Sequence, residues 1–371
     1  MEPITQVLAS VALARCGFRR VTPIALPIIV TAGLAPDLDW ISVFGGARVF
    51  LEAHRTAADS LVGIVVLAAV IAAAFIPIGR RAGMIARKNR AETSLPAGRQ
   101  ATAPTDQTTK PMRFVPAFIA ALAGGGLHLL LDLTNSYGVK LLWPFSARWF
   151  AWDLTASLDP WILFLLLAGL LMPALFRMIT EEIGAKSKRT AVDRGAVAAL
   201  VLVGVFCCGR FVSHQRAVAM LAAREYHGEA ANAAGAFPQS SSPLAWSGVV
   251  DTDDTMNEVE VSFAPGAMFD PESARVLYKA EASPALDAAQ RSYVGIAFLR
   301  FARFPLARVE PLGDGYRIVL RDLRFDTGPR ADRNVVAQID VDANNQIMQQ
   351  EFLFNTAMSG ETGADEGGGQ R

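Results

Sequence analysis

Long runs of apolar residues fill the chain up to about residue 215. Four runs approach the roughly 20 apolar residues that a membrane-spanning helix needs: 61–78, 114–133, 160–176 and 196–212. Two shorter runs, 3–14 and 21–35, precede them. We expect these two to be tilted or half-spanning helices that their neighbours support. The pattern predicts an integral membrane protein, an α-helical bundle with five or six membrane-embedded helices.

A different pattern follows, in which apolar and polar residues alternate as in half-buried strands. It is clearest at 259–263, 316–320 and 335–341, and turn-forming residues stand at 313–315 and 344–345. The sequence therefore predicts a C-terminal soluble β-rich domain. The predicted boundaries are a membrane domain at 1–212, an amphipathic connecting helix at 213–235, the β-rich domain at 236–358 and a disordered tail at 359–371.

The charges between the apolar runs predict the orientation of the chain. The segment 80–113 contains eight basic and two acidic residues, and its composition is typical of a flexible loop. Basic loops remain in the cytoplasm, so we place this loop there, with the basic turns at 15–20 and 186–194. The segments 37–55 and 132–159 are near neutral, and Trp40, Trp143, Trp149, Trp152 and Trp161 lie near that outer boundary. The prediction is a multi-pass protein of the bacterial inner membrane with an extracytoplasmic C-terminal domain.

Composition narrows the function classes. Hydrophobic residues make up 52% of the chain and charged residues only 19%, less than is usual for a soluble protein. Lys and Arg together number 35, as do Asp and Glu, so no global field favours a nucleic-acid partner. Three cysteines exclude a disulfide framework. The opening residues lack the basic region of a signal peptide, and Arg15 argues against a lipoprotein cleavage site.

Polar residues interrupt the apolar pattern at the predicted outer ends of several helices. Leaving an Asp unpaired at the centre of a bilayer costs roughly 2.5–3.5 kcal/mol, and less toward the interface. The spacing of His128 and Asp132, four residues apart, places both on one helix face. We expect the whole set to converge at one depth: Asp37, Asp39, His54, Arg55, Asp59, His128 and Asp132.

Two interpretations of this cluster are open from spacing alone. Neutral imidazole with carboxylates suits Zn, Mn or Fe, whereas carboxylates alone suit Mg or Ca. A metal-bound water of lowered pKa would then serve as a hydrolytic nucleophile. Alternatively, Arg55 pairs with Asp37 or Asp39, and the cluster is an ion-paired plug that holds the helices together.

The order of short motifs over residues 1–215 resembles the membrane-bound metal-dependent hydrolase family related to the bacterial inner-membrane proteins YdjM and YbcI. The motifs are MEPIT at 1–5, PDLD at 36–39, EAHR at 52–55, HLLLDLTNSYG at 128–138 and PFS at 144–146. The resemblance implies that Asp37, Asp39, His54, His128 and Asp132 hold a divalent metal, Zn, Mn or Mg. Two departures are Gln6 and Asp59, which stand where the family usually has histidine.

The sequence thus predicts a metal-dependent hydrolase at the outer membrane face. Arg55 and Asp59 are its candidate catalytic residues, with Arg55 stabilising developing negative charge. A site at headgroup depth suggests a lipid or lipid-linked ester or phosphoester as the substrate. The alternative is a non-catalytic membrane scaffold with a degenerate metal site, which anchors the β-rich domain to an unidentified protein partner. A transporter is disfavoured because few polar residues lie at mid-depth of the spans.

Overall fold

The computed structural model describes residues 1–45, 49–50, 54–93, 113–182, 193–325 and 335–354. They form two compact units. The first comprises Met1–Asp39, Arg55–Trp152 and Ser157–Cys208, and it is helical. The second comprises Trp40–His54, Asp153–Ala156 and Gly209–Arg371, and its described part is rich in antiparallel strands. The predicted fold class, a membrane helical bundle followed by a β-rich domain, is confirmed.

Six long helices are described before the first strand: α1 (Pro3–Arg15), α2 (Ala25–Leu34), α3 (Leu61–Thr93), α4 (Phe114–Leu133), α5 (Pro160–Glu182) and α6 (Arg194–Ala222). Short 3-10 helices cover Phe18–Arg20 and Pro36–Gly45. Pro stands at the start of α1, where its missing N–H costs nothing. Ser60 caps α3, because its Oγ accepts the N–H of Gly63 at 2.9 Å.

Four stretches among the described residues are long and apolar enough to cross a membrane: Ala25–Gly45, Leu61–Arg81, Phe114–Leu133 and Arg194–Ala222. This is slightly fewer than the five or six helices predicted. The helix α1 has only 13 residues and buries the polar side chains of Thr5, Gln6 and Ser10. The apolar part of α5 is also short, Pro160–Pro173. In contrast, the 3-10 helix Pro36–Gly45 extends α2 to a stretch of 21 residues, Ala25–Gly45. The apolar run at 21–35 predicted a shorter helix.

Glycines let α2 and α4 approach closely, as small residues commonly do between membrane helices. A Cβ atom added at Gly124 would lie 2.5 Å from the carbonyl oxygen of Ile29. At Gly125 it would lie 3.1 Å from Cγ2 of Ile64, on α3. The helices α2, α3 and α4 share one apolar core, which includes Ile28, Ile29, Ala68 and Ala121. This close packing sets the backbone of α2 against the face of α4 that carries His128.

The described residues of the second unit form ten strands in three antiparallel sheets. The sheets are β1–β2, then β3–β4–β5–β6, and then β10–β9–β8–β7. Two short helices, α7 (Pro284–Arg291) and α8 (Tyr293–Phe301), lie between β6 and β7 in the chain. The strand bounds are β1 Glu225–Tyr226, β2 Glu229–Ala230, β3 Ala233–Pro238, β4 Ala245–Asp251, β5 Thr255–Ser262, β6 Arg275–Tyr278, β7 Pro305–Leu312, β8 Gly315–Asp322, β9 Val335–Val341 and β10 Ile347–Phe354.

The alternating runs of the sequence correspond to β5, β8 and β9. The predicted turns join β7 to β8 and β9 to β10, and each contains a residue in the left-handed region, Gly313 at φ 61° and Asn345 at φ 61°. Buried residues of both larger sheets, among them Phe237, Val249 and Leu306, form a common core.

The predicted boundaries differ from the observed ones in two places. The helix α6 continues without a break to Ala222, so most of the predicted connecting segment 213–235 is the end of this helix followed by β1, β2 and the start of β3. The helix α3 continues to Thr93, which makes the first part of the predicted loop 80–113 helical. Positions 94–112 of that loop and the predicted tail lie outside the described residues.

Candidate metal centre

His128 is the central residue of a buried polar cluster in the first unit. Its ring is fully buried on α4. Nδ1 lies 2.7 Å from the carbonyl oxygen of Gly33, on α2, and a carbonyl can only accept a hydrogen bond. Nδ1 therefore carries the proton, so in the neutral ring the lone pair is on Nε2. A second-shell carbonyl of this kind fixes the tautomer of many metal-binding histidines.

Three carboxylates surround Nε2 of His128. Oδ1 of Asp59 lies at 2.9 Å, Oδ2 of Asp132 at 3.6 Å and Oδ1 of Asp37 at 4.0 Å. The ligand atoms of Asp37, His128 and Asp132 all lie within 4.8 Å of one another, close enough to share one cation. Asp59 and Asp132 are buried, and Asp37 is partly buried. The prediction that the helix ends bring these four residues together agrees with this geometry.

Asp132 is the most heavily contacted carboxylate of the cluster. Its Oδ1 accepts a hydrogen bond from Nε2 of Gln6 at 3.2 Å and contacts the α-amino group of Met1. Its Oδ2 lies 3.4 Å from Nη2 of Arg55. Burial lowers the pKa of the Met1 α-amino group, although the charge of Asp132 opposes this effect. Gln6 stands where the family usually has histidine, and its side chain contacts the site through Asp132.

Arg55 is held in an uncommon backbone conformation beside this cluster. Its φ is 55°, in the left-handed region that non-glycine residues rarely adopt. Two hydrogen bonds hold it: its N–H donates to Oδ2 of Asp39 at 2.6 Å, and its carbonyl accepts from the N–H of Lys140 at 3.2 Å. The guanidinium lies over the ring of Tyr137 at 5.1 Å. Strain of this kind concentrates at functional sites.

The guanidinium of Arg55 stays protonated although it is buried. Burial by itself lowers the pKa of the guanidinium, but the negative charges of Asp132 and Asp59 outweigh it, so the pKa lies above its usual value. The predicted role of Asp39 as a metal ligand stays a prediction. Its described hydrogen bond goes to the backbone of Arg55, and it is not in the group of ligand atoms around His128.

His54 belongs to the second unit, so the boundary between the units falls between it and Arg55. Its ring stacks on Phe50 at 4.5 Å and meets the edge of Trp40 at 5.9 Å between centroids. Its predicted role as a metal ligand stays a prediction.

The buried donor set fits a divalent cation. Oδ2 of Asp37 and Oδ2 of Asp132 are buried and accept no hydrogen bond from the part of the chain that the structure describes. Such atoms are costly unless something pairs with them. With His128 neutral, and with the Met1 α-amino group counted as a cation beside Arg55, the four clustered aspartates leave two negative charges unbalanced. One divalent ion would balance these charges, and an N/O donor set of this kind suits Zn, Mn or Fe better than Ca.

Sequence reasoning missed three participants. The Gly33 carbonyl and the Lys140 amide are backbone groups, which a residue pattern does not reveal. Tyr137 belongs to the motif at 128–138, but nothing in its spacing placed its ring under Arg55. Gln6 was noticed only as a departure from a family pattern, whereas the structure gives it a contact with Asp132.

Comparison with known proteins agrees with the motif order. A family model described as YdjM inner membrane protein matches residues 1–217, more than half of the chain. The match covers every residue of the cluster and supports a location in the inner membrane. No curated protein and no solved structure matches the chain. The chain belongs to the YdjM inner membrane protein family.

Proposed function

We propose that this protein is a membrane-embedded metal-dependent hydrolase. The observation that carries the proposal is Nε2 of His128, which lies within 4.0 Å of three carboxylates while Nδ1 is fixed by the carbonyl of Gly33. A protonated imidazole would pair with the same carboxylates without a metal, so the proposal requires the neutral ring. Asp37, His128 and Asp132 would hold the ion, which is Zn, Mn or Mg.

When bound, a divalent ion supplies Lewis-acid polarisation and lowers the pKa of water. Asp59, whose Oδ1 lies 2.9 Å from Nε2 of His128, would accept the proton that an attacking water loses. Arg55 binds the charge that develops on the substrate oxygen. Its Nη1 is buried and makes no hydrogen bond within the described residues, so it is available for an anionic group.

A lipid or lipid-linked ester is the substrate class that the surroundings of Arg55 favour. The carbonyl of Arg55 binds the N–H of Lys140, and the tip of the turn that follows exposes apolar side chains. Phe145 is 85% exposed, and Leu142 and Trp143 are exposed beside it. Exposed apolar and aromatic side chains of this kind, near basic ones, are typical of a membrane interface. Lys140 lies over the ring of Trp149 at 4.9 Å, and Arg148 over Phe150 at 5.4 Å.

We also propose that the site faces the outer side of the inner membrane, with the C-terminal domain outside. The support is the basic excess of the segment 80–113. Topology reporters fused after Arg90 and after Gly248 should report opposite sides. The same side from both would contradict the outer-face assignment.

The alternative, a non-catalytic scaffold, draws on a specific observation. Arg55 and the Met1 α-amino group both contact Asp132, so part of the buried charge is balanced without a metal. Gln6, in place of histidine, binds Asp132 as a hydrogen-bond donor. Under this alternative the cluster holds the helices together, and Arg55→Ala is the most damaging change because it leaves buried carboxylates unpaired.

Turnover assays separate the two functions. The full-length protein in proteoliposomes is given a chromogenic phosphodiester or carboxylic ester with Zn, Mn or Mg. We expect metal-dependent hydrolysis that His128→Ala abolishes and Arg55→Ala reduces by roughly 100-fold, the usual effect of removing an oxyanion donor. His227→Ala, which changes a half-exposed histidine of the second unit, is the control and should retain activity.

Two outcomes would contradict the hydrolase. The first is hydrolysis that chelation leaves unchanged. The second is the absence of turnover with every metal, combined with loss of folding in Arg55→Ala but not in His128→Ala. The second result is the one that the scaffold predicts.

A further inference from the structure

The second unit contains an open cleft that the proposed hydrolase site does not use. Its volume is about 570 Å³, within the range of small-molecule sites. It lies where the end of β6, the start of α7 and the middle of β7 come together. The side chains with the most useful chemistry are Tyr278, Glu281, Ser283, Arg308, Tyr316 and Asn345.

Two tyrosine rings give the cleft its apolar surface. Tyr278 is 78% exposed and Tyr316 is 43% exposed. Both rings line the same cleft, and exposed aromatic side chains that lie together can mark an interaction site. Tyrosine offers a broad, rigid contact surface and a hydroxyl group at a low cost in conformational entropy.

The polar groups favour an uncharged ligand rich in hydroxyl groups. Arg308 lies 2.8 Å from Oε1 of Glu310, so its charge is already balanced. Ser283 caps α7 by accepting the N–H of Leu286 at 3.2 Å, which leaves its own hydroxyl hydrogen available to donate. The carboxylate of Glu281 and the amide of Asn345 add acceptors and donors on the rim. No uncompensated cation in this set would select a phosphate or a carboxylate.

The edge of the sheet argues against a peptide. The strand β7 is an edge strand, and Ala307, Arg308 and Val309 at its middle line the cleft. An extended peptide could add to such an edge through backbone hydrogen bonds. However, Pro305 and Pro311 remove backbone donors near both ends of β7, a common way to prevent strand addition.

We infer that this cleft binds a neutral oligosaccharide, whose apolar ring faces stack on Tyr278 and Tyr316 while its hydroxyl groups bind Ser283, Glu281 and Asn345. The inference is independent of the proposed hydrolase, because all of these residues belong to the second unit. Aromatic faces with mixed donors and acceptors suit the alternating apolar and polar surfaces of a sugar ring. The ligand would be a short glycan at the membrane surface.

The test uses the full-length protein in nanodiscs with triacetylchitotriose and maltotriose as neutral probes. Saturation-transfer NMR and calorimetric titration measure binding. We expect saturable binding of at least one trisaccharide, weakened roughly tenfold by Tyr278→Ala and by Tyr316→Ala, which corresponds to about 1.4 kcal/mol each. Tyr293→Ala removes a tyrosine that is 49% exposed and does not line the cleft, so it is the matched control.

Three results would overturn the inference. One is no binding of either trisaccharide by protein whose circular dichroism shows a folded second unit. Another is equal weakening by Tyr293→Ala, which would show non-specific stacking. The third is tight binding of an extended, proline-free peptide with no effect of either trisaccharide on it, which would assign the cleft to strand addition. If the protein binds the sugar but has no hydrolase activity, the proposed hydrolase function is refuted and the inference about the cleft stands.

Discussion

Buried charges are paired in the second unit and crowded in the first. In the second unit, Arg317 donates two hydrogen bonds of 2.9 Å to Asp340, and Arg303 binds both carboxylate oxygens of Asp153. In the first unit, three carboxylates converge on His128, and two of them retain oxygens without a hydrogen-bond donor among the described residues. The two units thus differ in how closely their negative charges approach one another, and the crowded set is the proposed metal site.

Matched ion pairs and crowded charges affect stability differently. A matched pair contributes mainly by avoiding the penalty of an unpaired buried charge. A cluster of crowded negative charges destabilises the folded protein when no cation is bound. The same charges favour the binding of a cation. Removing one member should therefore have opposite consequences for stability in the two units.

The largest effect is expected from Arg324 in the second unit. Its Nε lies 2.8 Å from Oδ2 of Asp322, and its Nη2 donates to the carbonyl of Phe301 at 2.9 Å. Arg324→Leu should lower the free energy of unfolding of this unit by about 3–5 kcal/mol, because it removes the charged partner of the buried carboxylate of Asp322, which keeps only backbone donors. Denaturant unfolding followed by near-UV circular dichroism measures the change.

Arg291→Leu is the control for this experiment. Arg291 and Asp287 are exposed and 3.7 Å apart, so its loss should cost less than about 0.5 kcal/mol. Equal effects of the two substitutions would show that buried pairing has no special weight in this unit.

In the first unit, Asp37→Asn should stabilise the metal-free protein, whereas Arg324→Leu destabilises the second unit. Removing one of the crowded negative charges should raise the thermal stability of the metal-free protein, by about 1 kcal/mol. The same change should weaken metal binding by tenfold or more, because the amide is a poorer ligand. Melting curves with and without a chelator give both quantities. A variant that is less stable without metal would break the comparison between the units.

Restoring histidine at Gln6 and Asp59 sharpens the assignment of the ligands. Gln6 lies 3.2 Å from Asp132, and Asp59 lies 2.9 Å from His128, so both new imidazoles would face the site. Gln6→His with Asp59→His should shift selectivity toward Zn over Mn by about tenfold, within the range that changes around a metal produce. Competition titrations of the double and single variants measure the shift. Unchanged selectivity would remove these positions from the site.

The smallest effect concerns the alkaline stability of the second unit. Burial raises the pKa of Tyr226 to about 12, although the charge of Arg224 opposes the shift, and the hydroxyl donates to the carbonyl of Leu221 at 3.1 Å. Because the folded pKa exceeds the usual value of about 10, the stabilisation is complete below pH 10 and is lost as the pH rises through 12.

Tyr226→Phe should cost about 1 kcal/mol at pH 8, the value of one hydrogen bond, and should weaken the loss of stability above pH 10. Unfolding curves at pH 8 and pH 11 compare the two proteins. An identical pH dependence in both would show that Tyr226 does not titrate with folding.

Periodic patterns predicted much of the fold. The apolar runs predicted α3, α4, α5 and α6. The alternating run at 335–341 has the same bounds as β9. Helix spacing alone placed His128 and Asp132 together. These features are local, so the sequence within a few turns determines them.

The features that were not predicted depend on long-range geometry. The sequence did not predict that the boundary between the compact units falls between the adjacent residues His54 and Arg55. The backbone of Gly33, 95 residues from His128, sets the tautomer of the ring. No residue pattern encodes a carbonyl that becomes available only when two helices pack closely.

The metal content of the purified protein tests the central claim most directly. Full-length protein, His128→Ala and His227→Ala are purified in detergent without chelator and analysed by inductively coupled plasma mass spectrometry. The unmatched cluster predicts about one Zn, Mn or Mg per chain in the unchanged protein and in His227→Ala, and a large loss in His128→Ala. No metal in any of the three, with folding unaltered by chelator, would contradict it and identify the cluster as an ion-paired plug.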